Sequence, residues 1–331
     1  MENKYEKILA GLPEQLKYEP SVVNGEKIKI GPQTIFVLGG MGGSHLAASL
    51  LKDQESLTDL VIHSDYGLPE LAAEQMERAV FAAVSHSGNT AETLDFAAAA
   101  LKSNRPLAVI TTGGRLKSLA EEKGLPRVIF PLEEVPRLAT GYMAACLLKI
   151  MNREDIACRL AEVGKVLADS TIISEMEGEA GRIAENLGSA HHSMPLIYSS
   201  RANRALALYL KIALNETAKV PAFLNSYPEL NHNELAGFSG ERSADHFHLI
   251  SIEDGSDDPR IVERMHITET ILKEKGGKTM RIKLQGKDRA EKFWRFAALS
   301  ARISFALASE RGVDPVDTGF IEDFKSRLTV K

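Results

Sequence analysis

Within AAVSHSGNTAET (82–93), four side-chain hydroxyls, Ser85, Ser87, Thr90 and Thr93, fall in nine positions directly behind an apolar run. The segment reads as a strand (VFAAVS), a tight loop (HSGN) and a helix start (TAETLDFAAAA), with Glu92 in the first turn where a carboxylate suits the helix dipole. One helix cap uses one hydroxyl. Hydroxyls at i, i+2 and i+5 exceed that need, so Ser85, Ser87 and Thr90, with backbone N–H groups near Gly88 and Asn89, are expected to form an anion cradle that requires no Lys or Arg.

A second glycine loop, GGMGGSH (39–45), closes the strand TIFVL. A dinucleotide fingerprint anchored at Gly40 and Gly42 needs Gly or Ala at position 45, which is His45, so NAD is disfavoured and no cofactor is expected. Gly42 and Gly43 still allow close backbone approach to a ligand, and Ser44 adds a hydroxyl at the next helix start.

These loops need strands and helices to hold them. In the first half, TIFVLGG, LVIHS, RAVFAAVS, PLAVITTGG and RVIFPL alternate with helical patterns, the signature of βαβ units and a mainly parallel sheet covered on both faces. A helix-rich passage from about 138 to 187 follows. The alternation then resumes with PLIYSS, the helix ANRALALYLKIALNETAK, HFHLISI, a helix near 259–274, KTMRIKL and a long final helix. The fold class is therefore α/β, with two related flavodoxin-like domains expected at 1–152 and 153–331.

The chain has 331 residues, 44% hydrophobic, with a net charge of -5 and no long charged blocks, which argues against nucleic acid or a membrane as partner. The charged N-terminus and the absence of a membrane-length apolar run suggest a cytoplasmic protein. Two cysteines, Cys146 and Cys158, lie in helix-like sequence without CxxC spacing and are assigned no chemistry. Metal is not expected: His191–His192 and His246-x-His248 lack Cys or carboxylate partners at recognisable spacing, and the second pair reads as alternating strand residues.

GGMGGS, SHSGNTAET, VPR (135–137), LNETAK (214–219), SYPELNHNELAGF (226–238) and GVDPVDTGFIEDFK (312–325) together resemble the bifunctional phosphoglucose/phosphomannose isomerases, which carry two sugar isomerase (SIS) domains. The resemblance implies aldose–ketose isomerisation of a sugar 6-phosphate through an enediolate. It places the catalytic base at Glu216, which shares a helical face with Leu208 and Ile212; burial there would raise its pKa. A solvated Glu216 paired with Lys219 is the plain alternative.

His232, flanked by Asn231 and Asn233 in what reads as a loop, suits ring opening. In the related enzymes this loop enters the neighbouring subunit's site, implying a homodimer. Arg137 would steady the enediolate oxygen. By the same resemblance, Thr318 supplies the small hydroxyl that lets either C2 epimer turn toward Glu216, and Lys325, seven residues on and so able to face the same cleft, orders the sugar hydroxyls. His45, His86 and SSRANRALALY depart from the family pattern. Two alternatives stay open: a sugar-phosphate sensor without turnover, and another phosphosugar isomerase.

Overall fold

The computed structural model describes residues 4–189 and 193–328, and the chain divides into two compact units, Met1–Asp169 and Ser170–Arg327. The first unit holds a five-stranded, all-parallel sheet: β1 (Ile35–Gly39), β2 (Leu60–His63), β3 (Ala79–Ser85), β4 (Leu107–Thr111) and β5 (Arg127–Ile129), in the order β2-β1-β3-β4-β5. Its helices are α1 (Lys4–Leu16), α2 (Gly43–Glu55), α3 (Ala73–Glu77), α4 (Ala91–Lys102), α5 (Gly114–Glu122), α6 (Thr140–Ile150) and α7 (Glu154–Leu167). Helix α7 packs on α1 and α6, so the first unit runs beyond residue 152, where the sequence reading divides the chain.

The second unit opens with α8 (Ser170–Gly188) and continues β6 (Met194–Ser200), α9 (Arg204–Glu216), β7 (Phe223–Tyr227), α10 (Leu230–Gly237), β8 (Phe247–Glu253), α11 (Pro259–Glu274), β9 (Lys278–Lys283), α12 (Arg289–Arg311) and α13 (Gly319–Arg327). Its four strands are also all parallel, in the order β7-β6-β8-β9. Strand β7 and helix α10 add to the elements read from sequence.

Why β3 became the centre of its sheet follows from its residues. Every side chain of AVFAAVS is buried, as a strand with helices on both faces requires. Phe81 on β3 packs against Phe96 of α4, with ring centroids 5.8 Å apart and both residues fully buried. Each such ring contributes roughly 2–3 kcal/mol by leaving water. In the second unit, Leu196, Tyr198, Leu249, Met265 and Leu272 form the equivalent core.

The strand order reverses between β1 and β3, and again between β6 and β8, so each sheet has a crevice beyond the carboxyl ends of its central pair. In the first unit this crevice is flanked by the glycine loop after β1 and the serine-rich loop after β3. In the second, the loop after β8 supplies Asp254 and Asp257. Asp254 is 1% exposed and meets Lys292 Nζ at 2.6 Å, while Asn203 of the loop after β6 donates to Asp257 at 3.2 Å.

His246 lies just ahead of β8, and His248 within it, 1% exposed. Burial, with Lys278 on the adjacent strand adding to it, pushes the His248 imidazole down to about 4. The unfolded ring takes a proton near pH 6.5 and the folded one only near 4, so its contribution is complete above about 6.5 and is lost as pH falls toward 4. That difference amounts to about 3 kcal/mol. His248→Leu is expected to make the unfolding temperature less sensitive to acid between pH 7 and 4.5 than in the native chain. Parallel melting curves for the two would remove His248 from acid unfolding.

Candidate active site

In the first unit the loop after β3 is held by its own hydroxyls. Ser85 Oγ accepts the Gly88 N–H at 3.1 Å and lies 3.0 Å from Thr90 Oγ1, while Ser87 Oγ accepts the Asn89 N–H at 3.2 Å. Thr90 stands at the N-cap of α4 yet makes no side-chain cap bond there. Its hydroxyl turns inward to Ser85, so the first-turn N–H groups of α4 are left without the cap acceptor that a helix start ordinarily recruits. Exposed Ser87, half-buried Thr90 and that positive helix end lie together at the loop.

Gly88 makes the turn possible. Its φ is +68°, and a Cβ there would lie 1.8 Å from the Gly113 carbonyl oxygen. Asn89 Oδ1 accepts the Arg115 N–H at 3.0 Å, which ties the loop to the start of α5, a role the sequence reading missed. Thr112 Oγ1 donates to the His86 carbonyl at 2.8 Å, and Ser44 Oγ accepts the His86 N–H at 3.3 Å, joining the two ligand loops.

Ser44 therefore serves as a brace between loops, 8% exposed. Gly42, at the N-cap of α2 with φ +52°, has open space beside it, which permits the close backbone approach expected of this loop. Gly43 is crowded instead: a Cβ would meet Arg137 Cα at 3.0 Å. Arg137 itself lies on a 3₁₀ turn, Pro136–Leu138, and is 4% exposed. Thus Gly42, Gly43, Ser44, Ser85, Ser87, Thr90 and Arg137 gather around the ends of β1 and β3.

Of the two family departures in these loops, one is buried and the other half-buried. His86 is 6% exposed, its ring edge-on to Phe130 at a centroid distance of 5.8 Å. Burial lowers the pKa of His86 and also that of half-buried His45, so both are neutral at pH 7. They add no positive charge to the cradle.

In the second unit a cavity of about 870 Å³ opens beside the end of α9, lined by Ile212, Asn215, Glu216, Lys219, Thr318 and Phe320 among others. Leu208, Ile212 and Glu216 share a face as expected, but all three are half-buried. The core side of α9 is Leu206, Tyr209, Leu210, Ala213 and Leu214. Glu216 thus borders the cavity instead of sinking into the apolar interior.

Two sequence expectations change. His232 is exposed on helix α10, not in a loop, and lies outside the cavity of its own chain. That helix is pinned by Glu234, which accepts from Tyr198 Oη at 2.6 Å and from Asn225 Nδ2 at 2.8 Å. Lys325 is also exposed and outside the cavity, paired with Glu322 Oε1 at 2.6 Å. Thr318, just ahead of α13, lines the cavity while Lys325, seven residues on, does not: spacing by two turns does not align a pre-helical residue with the helix face. Among the described residues no cluster of three metal-binding side chains occurs; His191 and His192 lie outside them.

Parallel sheets whose reversal point carries a hydroxyl-lined, glycine-turned loop define an α/β protein built to hold a phosphorylated ligand. Residues 176–328 match the model of a family described as the bacterial phospho-glucose isomerase C-terminal SIS domain. The chain is 30% identical to the bifunctional phosphoglucose/phosphomannose isomerase of Thermoplasma acidophilum, covering 97% of this chain and 96% of that one. It is 33% identical over a shorter stretch to the D-glucosamine-6-phosphate 4-epimerase of Sulfolobus acidocaldarius, covering 61% of this chain and 63% of that protein. A crystal structure of a hypothetical protein from Thermus thermophilus shares the fold, with a TM-score of 0.70 at 18% identity over 98% of this chain and 89% of that one. The chain belongs to the bifunctional phosphoglucose/phosphomannose isomerase family.

Gly88→Ala and Ser85→Ala test the cradle. Each is expected to weaken binding of inorganic phosphate by at least about tenfold, since the first displaces the loop and the second removes the acceptor of a buried N–H. Calorimetry giving native affinity in Ser85→Ala would separate this hydroxyl from anion binding.

Proposed function

We infer that this protein interconverts glucose 6-phosphate and mannose 6-phosphate with fructose 6-phosphate through an enediolate. The observation that carries the reading is the loop after β3, where the Thr90 hydroxyl pairs with Ser85 instead of capping α4 and leaves the start of that helix open to an anion. In this reading Ser85, Ser87, Thr90, Ser44 and the N–H groups at Gly42 and Gly43 hold the phosphate. Glu216 moves the proton between C2 and C1, and Arg137 steadies the charge that develops on oxygen. Thr318 leaves room for either epimer at C2, and Lys325 orders the sugar hydroxyls once substrate is bound.

His232 opens the ring in the site of a second copy. Its exposure on α10, away from its own chain's cavity, supports that assignment, as does the family's homodimeric habit inferred from sequence. Among the described residues no helix is long and apolar enough to cross a membrane, and neither cysteine is in a disulfide. We place the reaction in the cytoplasm, with no cofactor, nucleic acid or membrane partner.

A second reading draws on the partial similarity to the Sulfolobus acidocaldarius epimerase: glucosamine 6-phosphate as substrate. Coupled assays with glucose 6-phosphate and mannose 6-phosphate, and NMR of glucosamine 6-phosphate, decide between them. Turnover of either aldose into fructose 6-phosphate is expected. Binding of the aldoses without turnover would favour a sensor, and a C4 epimer of the aminosugar the second reading.

Glu216→Gln is expected to lower kcat by about 10²–10⁴-fold with phosphosugar affinity kept, as loss of a proton-transfer group predicts. Retained activity would remove Glu216 from the role. Co-expressed Glu216→Gln and His232→Ala subunits, each inactive alone, are expected to recover roughly a quarter of native activity, because a mixed dimer rebuilds one complete site. No recovery on mixing would put His232 outside a shared site.

A further inference from the structure

Lys219 stands in the left-handed region, with φ +56°, just past the end of α9. Glycine or asparagine is the residue suited to that conformation at a helix end. A lysine there carries a side chain that crowds its own backbone, so what the side chain does matters. Its ammonium donates to the carbonyl of Glu216 at 2.6 Å and to the carbonyl of Asp317 at 2.5 Å, 98 residues away. The first bond uses one of the carbonyls that a helix end leaves without an intrahelical partner. The second reaches the residue directly before Thr318.

Among the described residues, the segment it reaches, 313–327, buries no side chain fully. None of the residues of α13 is buried, and Phe320 at its start is 88% exposed. Local bonds shape the turn ahead of α13: Asp314 Oδ1 accepts the Val316 N–H and Asp317 Oδ1 the Gly319 N–H, each at 2.8 Å. These two bonds stay within the turn and do not reach α9.

We propose that Lys219 is a positioning residue that latches the Asp317–Thr318 segment to the end of α9, setting the separation between the Glu216 carboxylate and the Thr318 hydroxyl across the cavity. The proposal rests on the roles given above to Glu216 and Thr318. A positive φ alone would be served by glycine; the two bonds from one ammonium account for lysine. The latch makes the C-terminal segment part of the cavity wall, so the base and the hydroxyl that tolerates both epimers move together.

Two substitutions separate backbone from side chain. Lys219→Gly relieves the conformation and removes the ammonium; Lys219→Met removes the ammonium and keeps the crowding. Hydrogen exchange at residues 318–327 is expected to speed up about tenfold in both variants, with exchange in the middle of α9 unchanged. In both, kcat is expected to fall by about tenfold with KM within about twofold, and the ratio of mannose 6-phosphate to glucose 6-phosphate turnover to shift. A structural weakening alone would lower the unfolding temperature without moving that ratio. Native exchange at 318–327 in Lys219→Gly would overturn the latch, as would native kcat and epimer ratio in an active enzyme. If the unsubstituted protein turned over neither aldose, the functional reading would fall, while the exchange measurement would still decide the latch.

Discussion

One hydroxyl holds the ligand loop of the first unit together. Ser85 Oγ takes the Gly88 N–H and engages Thr90 Oγ1, so it bridges the last residue of the central strand, the left-handed turn and the first residue before α4. This arrangement diverts the threonine from the cap it would otherwise make. The first-turn N–H groups of α4 are left without a side-chain acceptor, the arrangement that suits an anion at a helix start. The buried strand behind it, packed through Phe81 onto Phe96, fixes where the loop starts.

The loop carries no lysine or arginine, which has an electrostatic consequence. His86 within the loop and His45 in the glycine loop are held neutral by desolvation. Attraction there comes from oriented dipoles, which act at close range and weaken less with salt than an exposed side-chain charge. Arg137, 4% exposed against the glycine loop, is a fixed cation beside the same crevice.

Much of this was legible in the sequence because both-face burial leaves a plain mark. Strands such as AVFAAVS read as continuous apolar runs, and the hydroxyl spacing of SHSGNT exceeded what capping explains. Strand β7 was illegible for the opposite reason: at the edge of its sheet, FLNSY carries Asn225 and Ser226, which serve helix α10 and local turns. Helix α10 buries only Leu230 among its residues, so it shows no apolar stripe to read. The left-handed bend at Lys219 had no glycine or asparagine to announce it. Seven-residue spacing does not bring Lys325 to the cavity beside Thr318, because it aligns side chains only when both lie within the helix.

The second unit repeats the reversal of strand order, but its crevice is already furnished from within. Asp254 and Asp257 stand at the end of β8 where the first unit has serines, and Lys292 and Asn203 are committed to them. A phosphoryl group arriving there would find carboxylates in its place and their partners engaged. Duplicated architecture has thus diverged at its two reversal points, one ending in hydroxyls and an uncapped helix start, the other in carboxylates whose partners come from the same unit.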